Sequence, residues 1–549
     1  MPDNLTQIAL LNSNIVTMEP DNPRAEALLI LGNRIVDVGS NDKIRRQITP
    51  DTEVLDLAGK TVTPGFIDAH AHPLGYGLAQ AGIWVDCSPA TCIEDLVVMA
   101  EERARRTPNG AWIFGRGWAA SRLERWPTKE DFDARVPDHP LWFNDLSGHL
   151  YILSSRGLAE ANITGDTVQP PGGRIDRNES GDLTGIIRDC DPWDFADMPP
   201  FFGQDDIQTG LRTMMDKVTS LGLTTSAQIG IAIPPGPFGT ERVRPWLAFH
   251  QAGELKVRIR LQIEPYAMLQ AEGEYAYLEA LASLGMTTGF GNDMVKLGPL
   301  KIISDGWQCS RTGLLLEPYS NDPGNLGLVY REVHDYERLV RRAHQAGLAV
   351  AIHTDGDGSA ERIIGVYERV LNGQPNTLRH RLEHARMLTD DQVERIIKLG
   401  LMVGAAPVGY SREPWYYRMM CDNVGQHREH RLLRHKELMD KGCVVCGGSD
   451  CHPGIDRWIS PLSAIQFLTT EGPKSQRFTV DEAMRVYTLN SAYAFFDEDK
   501  LGSIRRGKLA DLVVLGRDLT AVPPEEIGDI PVELTMVDGR VVYQRATVV

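Results

Sequence analysis

Short apolar runs alternate with amphipathic segments through the middle of the chain. The runs of strand length are GLTTSAQIG, KVRIRLQI, VKLGPLKIISDG, LAVAIHTDG, RHRLEHAR, GLMVGAAP and GCVVCGGSD. Between them, EVHDYERLVRRAHQAG and TDDQVERIIKLG carry apolar residues at helical spacing and end in glycine. This alternation is typical of an α/β fold with a parallel sheet. A further strand ending at His70 brings the count to eight, the number in a (β/α)8 TIM barrel.

The two ends of the chain show a different pattern, in which short strands are joined by turns. The N-terminal segments are IALLNSNIVTM, ALLILGNRIVDVG and TEVLDLAGKTVTP, and the C-terminal ones are KLADLVVLG and VELTMVDGRVVYQ. We predict a small β-sandwich domain built from both termini, from residues 1–63 and 491–549. The barrel then comprises its first strand in 64–75 and the remainder in 201–490.

Residues 76–200 do not fit the strand and helix repeat. This interval is far longer than an ordinary barrel loop and is rich in aromatic residues and turns, as in WIFGRGWAASRLERWP and PPGGRIDRNESGDLTG. It follows the first strand, on the face where barrel active sites lie. We interpret it as a long insertion that covers the active site, with a structural or oligomer-forming role as the alternative.

Composition and charge argue against some classes of partner. The chain has 549 residues, too many for one ordinary core, and a net charge of −17 with no basic block. This balance argues against nucleic acid and anionic membrane surfaces as partners, and we predict a small-molecule substrate. No signal peptide or membrane span is evident, and the eight cysteines are scattered, so we expect a cytoplasmic protein with free thiols. A homo-oligomer is expected on general grounds.

Polar residues capable of binding a metal follow or end the predicted strands. In a parallel barrel these strand ends open at one face, so residues distant in sequence converge on one site. Residues two apart on a strand point to the same side, so His70 and His72 can bind one cation together. The residues at these strand ends are His70, His72, Lys301, His353, His384 and Asp450, and the four histidines and the carboxylate are predicted to form a metal shell.

Imidazole and carboxylate ligands suit a divalent metal, with zinc the best match, as one or two ions. Such an ion lowers the pKa of a bound water to about 7, which supplies a hydrolytic nucleophile without a serine or cysteine. Asp450 has a second role in this interpretation, as the catalytic residue that accepts and returns a proton. A single buried histidine is usually structural, so the hypothesis depends on the whole set.

Six successive segments resemble the motifs of the amidohydrolase superfamily. They are PGFIDAHAH, LKIISDG, AIHTDGD, RHRLEHAR, GGSD and LGSIRRGKLADLVVL, and WFNDLSGHL and GDLTGII in the insertion are similar to the family-3 branch that contains N-substituted formamide deformylase. The resemblance implies a metal-dependent hydrolase of C–N or related bonds, commonly with zinc. It implies that His70 and His72 bind the more buried metal, and that His353 and His384 bind a second metal or complete a mononuclear shell.

Lys301 falls where many members of the superfamily carry a carbamylated lysine that bridges two metals. The alternatives are an unmodified lysine paired with an acid such as Asp305, or Lys296 in its place. The sequence departs from the pattern after His353, where Asp355 could contact substrate or cap the following helix.

The predicted substrate contacts are mostly aromatic or histidine residues near the strand ends. Aromatic walls suit a planar or hydrophobic group, although such residues also serve as ordinary packing. The candidates are His149, Trp307, Tyr319, Tyr410 and His452. Arg379 and Glu383 flank a predicted ligand, and we expect them to orient the ligating imidazoles.

These features favour hydrolysis of a C–N bond in an amide, an N-substituted formamide or a cyclic amide. The enzymatic alternative is deamination of an aromatic or heterocyclic amine, which uses the same activated water and favours a single metal. Decarboxylation or isomerisation also stays open, because a fold and a metal do not determine the reaction. A non-catalytic barrel scaffold is the alternative from a different class, and replaced ligands would be expected in it.

Overall fold

The structure is a computed structural model, and it describes most of the chain. The described residues are 6–170, 172–190, 195–196, 202–231, 243–264, 271–308, 310–406, 414–451, 456–472 and 474–546. Two predicted substrate contacts, Tyr410 and His452, lie outside them. Within this part of the chain, no helix is both long and apolar enough to cross a membrane.

The first described residues form short strands and one helix. In chain order these are β1 (Gln7–Leu11), β2 (Asn14–Val16), β3 (Arg24–Ala25), β4 (Ala27–Leu31), β5 (Arg34–Gly39), α1 (Asn41–Arg45), β6 (Glu53–Asp56) and β7 (Thr61–Pro64). A four-stranded sheet has the order β5-β4-β1-β6. Helix α1 begins after Ser40, whose side chain accepts a hydrogen bond from the Lys43 backbone amide, so a cap defines its start.

A separate sheet follows strand β8 (Phe66–Asp68). Its region contains α2 (Pro73–Gln80), β9 (Val85–Asp86), α3 (Ile93–Ala104), β10 (Ile113–Trp118), α4 (Lys129–Asp133), β11 (Leu141–Asp145), β12 (Leu150–Leu153), α5 (Ser155–Glu160), β13 (Arg174–Arg177) and β14 (Leu183–Arg188). The sheet order is β13-β14-β12-β11-β10-β9, and one of its faces packs on a hydrophobic cluster that includes Phe132 and Phe143. The segment predicted as an insertion therefore has its own sheet and core.

Parallel strands alternate with helices through the remaining middle of the chain, as the apolar pattern predicts. The elements are α6 (Gln204–Ser220), β15 (Leu223–Ile231), α7 (Arg244–Gln251), β16 (Arg258–Ile263), α8 (Ala271–Ser283), β17 (Val295–Leu297), β18 (Leu300–Ile303), α9 (Val333–Gln345), β19 (Val350–Thr354), α10 (Asp357–Leu371), β20 (Arg381–His384), α11 (Asp390–Leu399), β21 (Met402–Ala405), α12 (Pro414–Val424), α13 (His435–Asp440), β22 (Val445–Gly447), α14 (Asp456–Ile459), α15 (Pro461–Thr470), α16 (Val480–Tyr487) and α17 (Leu489–Ala494). Every predicted strand segment contains a strand.

The parallel strands form two hydrogen-bonded sheets, with the orders β17-β16-β15-β8 and β18-β19-β20-β21-β22. The sequence predicts one strand over VKLGPLKII, but the structure has β17 and β18 on either side of Gly298 and Pro299. Proline lacks the amide hydrogen that a sheet ladder needs, which accounts for the break. Two backbone hydrogen bonds join the ends of β8 and β22. The Ala69 amide donates to the Gly447 carbonyl over 2.8 Å, and the Asp450 amide donates to the His70 carbonyl over 2.8 Å.

Strands from the two ends of the chain share one sheet. The last strands are β23 (Leu512–Leu515), β24 (Val532–Val537) and β25 (Arg540–Gln544), and the sheet has the order β25-β24-β23-β7-β2-β3. A hydrophobic cluster joins this sheet to the four-stranded one through residues such as Ile30, Val62 and Met536. The two ends thus pack together, while the predicted domain boundaries stay predictions.

A buried ion pair connects the C-terminal strands to the parallel strands. Arg258, at the start of β16, donates from Nε and Nη2 to the two carboxylate oxygens of Asp511, each over 2.8 Å. Nη2 also donates to Asp538 over 2.9 Å, and the Arg258 side chain is fully buried. Burial opposes the charge on Arg258, but the two carboxylates outweigh it and raise its pKa.

Candidate metal centre

The predicted ligands come together at the carboxyl ends of the parallel strands. His70 and His72 follow β8, His353 lies in β19, His384 ends β20, and Asp450 follows β22. The imidazole rings form a series in space. Ring centroids are 6.0 Å apart for His70 and His72, 4.7 Å for His70 and His384, and 4.6 Å for His353 and His384.

Asp450 lies among three of these imidazoles. Its Oδ1 is 3.5 Å from Nε2 of His70 and 3.6 Å from Nε2 of His72, and its Oδ2 is 3.8 Å from Nδ1 of His384. One ligand atom each from His70, His72 and Asp450 lies within 4.8 Å of the others. Two imidazole nitrogens and a carboxylate at this spacing fit a divalent cation.

Burial favours the neutral imidazole in three of the four predicted histidine ligands. Burial lowers the pKa of His353 and His384 well below the usual value, and it also lowers the pKa of His72. Metal binding requires neutral imidazoles, so burial prepares these rings to act as ligands. His70 differs, because the charges of Glu383 and Asp450 outweigh burial and raise its pKa. Both nitrogens of its buried ring face a carboxylate, Nδ1 that of Glu383 at 3.1 Å and Nε2 that of Asp450 at 3.5 Å.

Two predicted ligands have a left-handed backbone. The φ angle is 69° at His384, 43° at the following Ala385 and 48° at Asp450. Aspartate and histidine adopt this region more readily than most residues, but for Ala385 it is unfavourable and must be stabilised by the surroundings. The Ala385 amide donates to the Thr354 carbonyl over 2.9 Å, which fixes the turn after β20. Unfavourable backbone beside a ligand is typical of a functional site.

Glu383 orients His70, as predicted for a residue beside a ligand. Its Oε2 is 3.1 Å from Nδ1 of His70, and its Oε1 accepts from Nε of Arg381 over 2.6 Å. Burial opposes ionisation, but the charge of Arg381 dominates and lowers the pKa of Glu383 to about 2. A buried carboxylate of this kind fixes the imidazole tautomer and ring direction. Arg379 instead pairs with Glu498 and stacks on Tyr493, so the expectation that it orients a ligand is wrong.

Asp68 and Ser449 connect the first and last parallel strands beneath the site. Asp68 accepts from the Ser449 hydroxyl over 2.5 Å and from the backbone amides of Ser449 and His70 over 3.0 and 3.2 Å. Burial raises the pKa of Asp68 to about 6 in spite of these hydrogen bonds. The contacts fix the two ligand segments relative to one another, and only the three-dimensional structure reveals them.

Gly448 gives a test of how closely these segments pack. A Cβ at this position would lie 2.4 Å from Cβ of His70 and 2.9 Å from its backbone nitrogen. Gly448→Ala is therefore expected to displace His70 and to weaken metal affinity by about 10- to 100-fold, the usual cost of disturbing a ligand's support. Zinc competition with a fluorescent chelator measures the change. Gly165→Ala is the matched control, since a Cβ there has no atom within 4 Å.

Lys301 lies in β18, is 3% exposed and lines the same cavity as the predicted ligands. Lys296 points elsewhere, since its Nζ donates to Asp497 over 2.5 Å. Asp305 accepts from the backbone amides of Leu314, Asp355 and Gly356. Burial, with the charge of Asp355, raises the pKa of Asp305 to about 8. The structure records no ion pair between Lys301 and Asp305 among the described residues.

Asp355 neither caps the next helix nor lines the cavity. Its carboxylate pairs with Arg386 and accepts from the Gln308 amide over 2.8 Å. Helix α10 begins after Gly356 without a side-chain cap. Arg386 also lies 3.7 Å from Oδ2 of Asp450, so Asp355 contacts the site through that arginine.

The cavity over the strand ends is walled by the insertion. Alternate residues of β10 and β11 face it, and Phe114, Arg116, Trp142 and Asn144 lie on that side. Ring centroids of Phe114 and Trp142 are 5.1 Å apart. Sequence reasoning missed these residues, although the alternation in WIFGRGW and LWFND is the signal that could have identified them.

The predicted substrate contacts have different positions. His149 and Trp307 line the cavity. Tyr319 is buried in a hydrophobic cluster with Met387 and Met420, and its hydroxyl donates to the Gly313 carbonyl over 2.7 Å. Tyr319 is not among the described cavity-lining residues.

Known proteins resemble this chain over most of its length. The model of the Amidohydrolase family matches residues 53–543. The protein YtcJ of Bacillus subtilis is 29% identical over 97% of this chain and 98% of its own length. An N-substituted formamide deformylase of Arthrobacter pascens is 28% identical over 98% of this chain and 99% of its own.

Solved structures share the fold. An uncharacterized metal-dependent hydrolase from Pyrococcus furiosus superposes with a TM-score of 0.70 at 24% identity, covering 94% of this chain and 100% of that one. Its counterpart from Pyrococcus horikoshii gives a TM-score of 0.73, covering 94% and 99%. The overall architecture is a TIM-barrel-type α/β fold. The family match extends over most of the sequence, and the chain belongs to the amidohydrolase family of hydrolases.

Proposed function

We propose that the protein is a metal-dependent amidohydrolase that cleaves a C–N bond in a small amide, an N-substituted formamide or a cyclic amide. The observation that carries the proposal is the position of Asp450, within 3.8 Å of a nitrogen of each of three buried or half-buried histidines. The name of the Arthrobacter relative supports the formamide class.

The residues of the site have distinct roles in this proposal. His70, His72, His353, His384 and Asp450 would hold the metal, which when bound supplies Lewis-acid polarisation and an acidic water. Asp450 accepts a proton from the attacking water and returns it to the leaving nitrogen. Its left-handed backbone and its 3.7 Å distance to Arg386 fix the carboxylate for this transfer.

We propose zinc as the metal, as one or two ions, because imidazole and carboxylate ligands suit it. A carbamylated Lys301 would bridge two ions, and its burial at the cavity wall supports that role. The net charge of −17 supports a small-molecule substrate in place of nucleic acid. We further propose a cytoplasmic homo-oligomer.

Metal removal is the direct test of the proposed activity. The full-length protein, loaded with zinc or manganese, is assayed for hydrolysis of formanilide, N-cyclohexylformamide and dihydrouracil. Amide hydrolysis is expected, and dialysis against a chelator is expected to reduce it to background because the nucleophile depends on the ion. Addition of zinc or manganese should restore the rate.

Adenine serves as the comparison substrate. Release of ammonia from adenine without hydrolysis of the amides would support the deaminase alternative. Full amide hydrolysis by metal-free protein would contradict the proposal. The non-catalytic scaffold would be supported by the absence of stoichiometric metal together with no activity on adding zinc or manganese.

A further inference from the structure

His149 is held by a carboxylate from the same sheet. Its Nδ1 is 2.5 Å from Oδ1 of Asp189, and the Asp189 backbone amide donates to the His149 carbonyl over 3.0 Å. These contacts extend the antiparallel pairing of β12 with β14, in which Leu150 is opposite Arg188. Two contacts between the same residues fix both the backbone and the ring of His149.

The burial, backbone conformation and hydrogen bonding of Asp189 are unusual. It is fully buried, its φ angle is 53°, and its Oδ2 has no hydrogen-bond partner in the described part of the chain. A buried carboxylate oxygen without a hydrogen-bond partner is costly, so its presence here calls for an explanation. Oδ1 of Asp189 accepts this hydrogen bond when Nδ1 of His149 carries the hydrogen, which leaves Nε2 as the acceptor of the ring.

Tyr330 contributes from outside the insertion. It lies in the segment between β18 and α9, and its hydroxyl donates to the same Oδ1 of Asp189. The hydroxyl is 3.5 Å from Nδ1 of His149. The position of the His149 ring is therefore fixed by Asp189 in the insertion and by Tyr330 in the segment between β18 and α9.

The position of His149 leaves its second nitrogen for another partner. With Nδ1 facing Asp189, no described residue forms a hydrogen bond with Nε2. The residue lines the cavity, and its ring centroid is 5.5 Å from that of His353. His149 thus continues the series of imidazoles, and it lies outside the group formed by His70, His72 and Asp450, whose ligand atoms are within 4.8 Å of one another.

We propose that His149 contacts the substrate, with Nε2 hydrogen-bonding a polar atom of the amide group being cleaved, and that Asp189 and Tyr330 are positioning residues that act through it. This inference rests on the proposed amide hydrolysis. The insertion in this view supplies a polar contact to the reacting group in addition to the wall of the cavity.

The test compares zinc-loaded full-length variants with the best amide substrate. H149N is expected to lower kcat/KM by about 10²-fold, the usual cost of losing a polar contact to the reacting group. D189N is expected to cost about 10-fold and Y330F about fivefold, with zinc content unchanged. H139N is the matched control, since His139 is a buried insertion histidine whose Nδ1 contacts the Ala111 carbonyl.

The double variant H149N/D189N separates positioning from general support of the fold. If Asp189 acts through His149, the double variant is no slower than H149N. Equal losses from D189N in both backgrounds would overturn the positioning role, and a kcat/KM of H149N equal to that of H139N would overturn the contact. H149Q provides a second substitution, and circular dichroism confirms that each variant is folded.

Failure of the proposed function has a different signature. If the wild-type protein hydrolyses none of the amides, that function fails, and binding of formanilide to zinc-loaded protein by calorimetry then tests His149. Weaker binding by H149N than by H139N supports the contact. Equal binding, or no binding to the wild-type protein, overturns it.

Discussion

Replacing Asp450 with asparagine is expected to lower kcat by about 10²- to 10⁴-fold, the contribution of a positioned proton-transfer group. Asparagine has nearly the same size and tolerates the left-handed backbone at this position, where φ is 48°. The fold should therefore stay intact while the carboxylate near His70 and His72 is lost. Steady-state kinetics with metal analysis of each preparation measures the effect.

Asp499→Asn is the control for this substitution, because Asp499 is exposed and the same change there removes an acid distant from the cavity. Wild-type kcat in Asp450→Asn with full metal content would remove Asp450 from its proposed proton-transfer role. A loss of activity that follows a loss of metal would instead limit Asp450 to the role of ligand.

Asp511→Ala is expected to lower the free energy of unfolding by about 3 kcal/mol, the low end of the usual cost, because the buried Arg258 loses its bidentate partner and keeps only Asp538. The guanidinium donates to both oxygens of Asp511 and has no exposure to solvent that could compensate. Urea unfolding followed by tryptophan fluorescence should show the transition at lower denaturant concentration.

A surface ion pair provides the comparison. Arg517 and Glu526 are 2.6 Å apart with side chains 43% and 50% exposed, so Glu526→Ala should cost less than about 1 kcal/mol. Asp511→Asn keeps the shape and part of the hydrogen bonding, and an intermediate loss is expected. Equal midpoints for Asp511→Ala and Glu526→Ala would contradict the proposed contribution of the buried pair.

The strands that carry the candidate ligands could be predicted because their apolar runs are local. LAVAIHTDG and RHRLEHAR each contain an uninterrupted buried strand with a histidine at or near its end, and β19 and β20 lie there. The helices between them were equally clear, since Thr389 and Gly400 mark the two ends of α11. The spacing of apolar residues and the residues that cap a helix depend only on neighbours in the sequence, so one sequence is enough to identify them.

The residues that support the ligands could not be identified in the same way. Asp68 contacts Ser449 across 381 positions, and Tyr330 contacts Asp189 across 141 positions. Such pairs depend on how distant segments pack, and no local pattern encodes them. Glu383 was an exception, because its place beside His384 in the sequence already indicated a supporting role.

The break between β17 and β18 has a local signal, which the prediction of a single strand does not take into account. Gly298 and Pro299 interrupt the apolar run, and proline seldom occurs inside a central strand. The apolar residues on both sides favour a single strand, but the amide hydrogen that Pro299 lacks interrupts the ladder there.

The sheet shared by the two ends of the chain also constrains how the protein is made. Val62 in β7 pairs with Val514 in β23, so about 450 residues are synthesised between the two partners. At ~5–20 residues per second, this takes roughly 20–90 s on the ribosome. During that time β7 has an unpaired edge, which is a template for association with other chains. Efficient folding therefore depends on protection of this edge until the last strands emerge.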